Sequence, residues 1–228
     1  MYVFFSRIDT VLAKGKTDHR QCEQACDICF KSIGMKPFID SVMHPRQHLL
    51  CSCCCAQLRI KKFYREDLSV KTCVLFEYRD FIRNLILRYK VHNDDYLKRY
   101  LFEYHRLWIR LHYVGYHYVI APSHQNTTKS SKKNHLENLV ENIGLKCSGI
   151  NLINTAPIKQ AQCNAQQRCL IRNHIQLEKV LHTKTKKILI IDDIVTTGNT
   201  LETIAGQLSP YVNQIEALCL AGTLPNHK

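Results

Sequence analysis

The chain has 228 residues, 45% of them hydrophobic, and carries a formal net charge of +13. That length and apolar share suit a globular protein with one sizeable core and a small appendage. No uninterrupted apolar run approaches the roughly 18 residues of a membrane-spanning helix. The positive charge attracts polyanions such as nucleic acid or an anionic membrane face, although charge scattered along a chain also serves solubility. The stretch Met1 to Asp9 has no basic leader, and Arg7 and Asp9 break its short apolar run. That pattern argues against a signal peptide and predicts a cytoplasmic protein. Twelve cysteines without an export signal then point to a metal site plus reduced thiols rather than to a disulfide framework.

In chain order, Val3, Phe4, Phe5, Ile8, Val11 and Leu12 fit a short amphipathic helix. The pairs Cys26-x-x-Cys29 and Cys51-x-x-Cys54, about twenty residues apart, make a zinc-ribbon-like layout. Each pair brings two thiolates within tetrahedral reach, and a closed four-sulfur site leaves no open position for catalysis. Cys22, Cys53, Cys55, His44 and His48 lie near enough to compete as ligands. The segment Arg59 to Arg65 interleaves Arg59, Lys61, Lys62 and Arg65 with Phe63 and Tyr64. Cations with aromatic rings suit single-stranded nucleic acid; rings packing a linker onto the next domain fit equally well. The finger with its N-terminal segment is expected over residues 1–65 and a second domain over 66–228.

Residues 72–78 read as a strand, 80–91 as a helix with Phe81, Ile82, Leu85, Ile86 and Tyr89 on one face, and Asp94 to His112 as a second helix. A buried strand at 117–123 ends in Ala121-Pro122-Ser123. The polar, basic stretch 125–134 reads as a long loop of the kind that clamps anions, with Lys129, Lys132 and Lys133 as its cations and Lys132 and Lys133 also as candidate nucleic-acid contacts. A helix face follows at Leu136, Leu139, Val140 and Ile143, closed by Gly144, then a strand near 150–154 and a polar, partly helical connection at 160–172. Residues 214–221 supply the last strand. Strands alternating with helices predict an α/β fold with a parallel sheet covered on both faces.

The remaining stretch is the most informative. Ile188 to Ile191 form a strand buried on both faces, expected to stop at Asp192 and Asp193. A small-residue turn, Val195-Thr196-Thr197-Gly198-Asn199-Thr200, leads into a helix with Leu201, Ile204, Ala205 and Leu208 at helical spacing. Free N–H groups at such a helix start, with threonine hydroxyls, bind phosphate, and adjacent acids accept hydrogen bonds from sugar hydroxyls. An ordinary strand-to-helix turn is the plainer reading. No Gly-Lys-Ser/Thr follows, as in a Walker loop, and a single glycine makes no dinucleotide fingerprint.

This stretch closely resembles the phosphoribosyl-pyrophosphate loop of type I phosphoribosyltransferases. By that likeness Asp192 and Asp193 face ribose hydroxyls, and Thr196 to Thr200 cradle the 5′-phosphate. The cysteine pairs, the helix ending Tyr89-Lys90-Val91-His92-Asn93-Asp94, the Ala-Pro-Ser-His strand end and the late loop together resemble the ComF (ComFC) family of competence proteins over residues 22–222. That resemblance implies a four-cysteine zinc finger joined to a phosphoribosyltransferase-like domain that takes phosphoribosyl pyrophosphate with magnesium. It also implies handling of single-stranded DNA in natural transformation, alongside DNA-uptake and recombination proteins. Lys90, Pro122 and Ser123 fall at matching ligand-side positions, and Asp192 and Asp193 would be the catalytic pair if the reaction is turned over. Where the family carries Arg-Gly-Phe-Asn-Gln, this chain reads Ser131-Lys132-Lys133-Asn134-His135, while the downstream Gln…Arg pattern survives as Gln160 and Arg168. An active transferase acting on a base or amine is the alternative, and a zinc adaptor without ligand a weaker third.

Overall fold

A computed structural model describes residues 24–33, 49–58, 62–92, 94–122, 135–141, 143–154, 175–179 and 187–224. The chain divides into two compact units, Met1–Cys54 and Cys55–Lys228. In the first, β1 (Gln24–Ala25) and β2 (Ser32–Ile33) pair antiparallel around a tight turn that holds Cys26 and Cys29. The turn closes by backbone bonds, Cys26 N–H to the Lys31 carbonyl and Phe30 N–H to the Cys26 carbonyl, both at 2.8 Å. Phe30 takes a left-handed conformation, φ 60°, to complete it. Helix α1 (Ser52–Leu58) carries Cys54 in its first turn.

The second unit is built on a six-stranded sheet of β3 (Phe63–Arg65), β4 (Thr72–Glu77), β5 (His117–Ile120), β6 (Lys146–Cys147), β9 (Lys187–Val195) and β10 (Gln214–Gly222). Their order is β3-β4-β10-β9-β5-β6; every pairing is parallel except the antiparallel edge strand β3. The expected parallel sheet is therefore mixed at one edge. Residues 63–65, read from sequence as part of a basic segment beside the cysteines, are that edge strand: Tyr64 pairs with Cys73 and Arg65 with Thr72.

The central strands are apolar on both faces because both are covered. Ile188, Leu189, Ile190 and Ile191 are all fully buried, as are Ala217 to Ala221 in β10. On one face Ile188, Ile190, Ala217 and Cys219 pack with Leu201, Ile204 and Leu208 of α5 (Asn199–Leu208). Truncating one such isoleucine to alanine costs about 2–5 kcal/mol. Helix α2 (Asp80–His92) buries Ile82, Leu85, Ile86 and Tyr89, close to the expected face.

Three expectations need correction. The single helix over Asp94–His112 is two 3-10 segments, Asp95–Tyr100 and Phe102–His105, followed by α3 (Arg106–His112). Tyr100, Leu101 and Phe102 are consecutive and all fully buried. An α-helix spreads three successive side chains over about 200°, so the backbone breaks at Leu101 to turn them all inward. The strand near 150–154 exists as β7 (Asn151–Asn154), but it pairs antiparallel with an unanticipated β8 (Ile175–Lys179) outside the main sheet. The helix at 136–143 is shorter, α4 (His135–Val140), and Gly144 follows with φ 82°. The proposed N-terminal helix, the loop 125–134 and the connection 160–172 lie outside the described residues. Among the described residues no helix is long and apolar enough to cross a membrane.

Candidate functional site

The two acids do not stop β9, which continues to Val195. The reason is unequal neighbours. On one side β5 ends with Ile120 opposite Ile191, and the last bond is Ala121 N–H to the Ile191 carbonyl at 2.9 Å. Pro122 follows, half-buried, and has no N–H to extend the ladder. On the other side β10 stays paired, Cys219 opposite Asp192 and Gly222 opposite Val195. From Asp192 onward β9 is therefore paired on its β10 side, which sets Asp192 and Asp193 at the carboxyl ends of the parallel strands, the place where α/β sheets take ligands.

Successive strand residues face opposite sides of a sheet, so Asp192 shares the α5 side with Ile190, and Asp193 lies on the other side. Lys90, in the last turn of α2, is ion-paired with Asp193. The Asp193 N–H donates to Asp192 Oδ1 at 2.8 Å. Burial, and then the Asp193 charge, push the Asp192 carboxyl up to about 7, against the opposing pull of that amide and of Lys90. Such a carboxyl exchanges a proton readily near neutral pH.

Beyond the acids the chain turns sharply. Val195 is buried, Thr196 and Thr197 are exposed, and Gly198 caps α5 in a left-handed conformation with φ 77°. Helix-start N–H groups lack partners within the helix, so this turn presents amides and two threonine hydroxyls at a positive dipole end. A Cβ on Gly198 would lie 2.3 Å from Leu68 Cδ2, and one on Gly222 would lie 2.6 Å from Val195 Cγ1. Gly198 is required by its left-handed backbone, and Gly222 by the Val195 carbonyl oxygen 3.0 Å from where a Cβ would lie.

Arg65 is not on a nucleic-acid surface. Its side chain is only 5% exposed and meets Asp67 with two bonds of 2.6 Å, Nε to Oδ1 and Nη2 to Oδ2. Its Nη1 donates to the Thr196 carbonyl at 2.9 Å and to the Thr223 carbonyl at 3.4 Å. The strand pairing of β3 with β4 turns Arg65 inward, under the loop that follows β9. Sequence reading missed this role; only the Arg65-x-Asp67 spacing hints at it, and that spacing is common in exposed turns. Lys62 lies over the Trp108 ring at 4.7 Å, and Tyr64, 39% exposed, shares a 3.3 Å hydrogen bond with His112. Of the other expected residues, Arg59, Lys61, Ser123, Lys132 and Lys133 lie outside the described residues. Tyr89 was expected only as packing, yet its hydroxyl donates to the His135 carbonyl at 2.9 Å and ties the start of α4 to α2.

In the first unit Cys26, Cys29, Cys51 and Cys54 converge, their sulfurs all within 4.8 Å of one another. Cys29 and Cys51 sulfurs are 3.6 Å apart, and the Cys54 N–H points to Cys51 Sγ at 3.4 Å. Four sulfurs about 2.3 Å from one zinc ion stand roughly 3.8 Å apart, so donor set and spacing fit a structural zinc site. Burial opposes ionisation of Cys26, but backbone N–H bonds from Cys29, Cys51 and Ile28 outweigh it and lower the thiol to about 6. Burial and the neighbouring sulfurs push Cys54 upward, and a cation among the four would reverse that. Cys53 is exposed and stands outside the cluster. Neither a protein-family model nor a curated protein matches the chain.

Proposed function

We propose that the chain is a ComF-like competence protein, acting in DNA uptake and natural transformation. In this reading a zinc-binding four-cysteine finger precedes a type I phosphoribosyltransferase-like domain that binds phosphoribosyl pyrophosphate with magnesium, and the basic protein binds single-stranded DNA in the cytosol. The observation that carries it is the placement of Asp192 and Asp193 where β5 has ended, followed directly by a threonine-lined turn onto the start of α5. That arrangement suits a phosphorylated ribose: the carboxylates accept from two ribose hydroxyls while the turn's amides and hydroxyls hold the 5′-phosphate. Lys90, ion-paired with Asp193, keeps a cation beside the two acids. Magnesium, when bound, would neutralise pyrophosphate charge. DNA binding is supported by the net charge of +13 and by Lys62 and Tyr64, with Arg65 removed from that surface.

An active phosphoribosyltransferase is the second reading, favoured by Asp192, whose carboxyl is raised to about 7 beside the ribose site. Stabilising an oxocarbenium-like ribose while pyrophosphate departs would need the pocket's charges preset for it.

One titration separates the readings. Zinc-loaded protein is mixed with single- and double-stranded DNA, with and without phosphoribosyl pyrophosphate and magnesium. Salt-sensitive binding that prefers single strands supports the competence role. Sugar-phosphate binding without DNA binding shifts the assignment to the enzyme. Equal sugar-phosphate affinity in the Asp192→Ala, Asp193→Ala double variant would refute the role given to these acids.

A further inference from the structure

We propose that Arg65 is a positioning residue for the 195–200 turn, and that the connection from β3 to β4 is the platform that shapes this turn for a sugar 5′-phosphate. The inference rests on the phosphate-site reading above and deepens it.

Residues 65–69, the end of β3 and the start of the connection, make two contacts to the turn and a third to the helix that follows it. Arg65 donates to the Thr196 carbonyl at 2.9 Å, Leu68 fills the space where Gly198 has no Cβ, and Ser69 N–H donates to Glu202 Oε1 of α5 at 3.3 Å. A fourth contact comes from the end of β10: Thr223 N–H donates to the Val195 carbonyl at 3.3 Å, and the Thr223 carbonyl in turn accepts from Arg65. The turn is thus held from below by residues that precede it by more than 120 positions and by Thr223, which follows it.

The consequence follows from peptide geometry. In a planar trans peptide the carbonyl and the next N–H point in opposite directions. Holding the Thr196 carbonyl down onto the buried guanidinium turns the Thr197 N–H away from Arg65, toward the side where Thr196 and Thr197 are exposed. Asp67 fixes the guanidinium through two parallel bonds, so its plane cannot swing. Lysine offers no such fork: it can meet Asp67 or the carbonyl as a point charge, without fixing both.

The test uses two probes on the zinc-loaded full chain: ribose 5-phosphate, which carries the 5′-phosphate alone, and inorganic pyrophosphate with magnesium. Asp67→Asn removes a half-exposed carboxylate and leaves the core intact; Arg65→Lys and Arg65→Met remove the fork. All three variants are expected to bind ribose 5-phosphate about tenfold more weakly or worse, the scale of a lost charge-assisted bond. Pyrophosphate affinity should stay within about twofold of the parent, since uniform loss on both probes is what general destabilisation would give. Should Arg65→Met fail to fold, Asp67→Asn carries the test. Parent-like ribose 5-phosphate binding by Asp67→Asn and Arg65→Lys, or parallel loss of both probes, overturns the positioning role. A parent protein that binds neither probe overturns the phosphate-site reading itself, and the role of Arg65 with it.

Discussion

Lys90 in α2 and Asp193 in β9 form an ion pair across 103 residues of sequence, at the carboxyl end of the central strand. Helix α2 brings the lysine there because its buried face, ending in Tyr89, packs inward and leaves the next residue beside Asp193. The pair does more than join two elements. The Lys90 charge also acts on Asp192 and holds its carboxyl lower than burial alone would leave it.

Lys90→Met therefore leaves two acids side by side without their cation. We expect sugar-phosphate affinity to fall several-fold, and the acid limb of its pH profile to move upward. Calorimetric titrations between about pH 6 and 9 read both effects. Lys90→Arg should keep the profile near the parent's. An unmoved profile in Lys90→Met would remove the lysine from the site's electrostatics.

Asp192 makes stability depend on pH in a direction opposite to most carboxylates. Its folded pKa lies near 7, above the ordinary 3.8, so the folded state holds the proton more tightly than the unfolded state. That contribution is full below about pH 4 and is lost as the pH rises through 7. Asp192→Asn removes the cost of the charged form. Above pH 7 the variant should be more stable than the ligand-free parent, with the gap closing toward pH 4. Urea unfolding at several pH values checks it.

Gly198→Ala should lose both stability and ligand binding. The left-handed φ of 77° and the 2.3 Å approach to Leu68 act together, costing about 2–4 kcal/mol. Adding Leu68→Ala relieves the clash but not the backbone strain, so recovery should be partial. Full recovery would show that the backbone conformation at 198 is unimportant.

The four-cysteine cluster should hold one metal ion per chain, measured by elemental analysis of purified protein. Cys26→Ser and Cys54→Ser should each abolish stoichiometric binding, and Cys53→Ser should not, because only the first two belong to the cluster. Chelation should unfold the first unit, because a metal held by the four thiolates ties its turn to the start of α1. Metal retained by Cys26→Ser would point to a different donor set.

Much of this architecture is local and was readable before any fold was known. The apolar run at 188–191, the helical spacing of 201, 204, 205 and 208, and the two C-x-x-C pairs each follow from side-chain period or ligand reach within a few residues. The segment 94–112 was misread as one helix for a local reason too: its apolar residues recur at nearly helical intervals, but three in succession had to be buried, and only the surrounding core demands that. The strand end at Asp192 was misplaced because charge usually ends a buried strand, while here β10 keeps pairing and β5 does not.

What the sequence by itself determined, then, is the chemistry of the parts: two acids, a threonine-rich turn with one glycine, four clustered thiols and an excess of positive charge. Tertiary structure alone decided which distant groups meet them. Arg65 looks like a surface cation in a basic segment, and becomes the buried support of Thr196 only because β3 pairs with β4 at one edge of the sheet. Lys90 reaches Asp193 only because α2 packs its apolar face inward. Side-chain period reports what one element presents, but register and packing between elements fix its partners, and no local spacing encodes those.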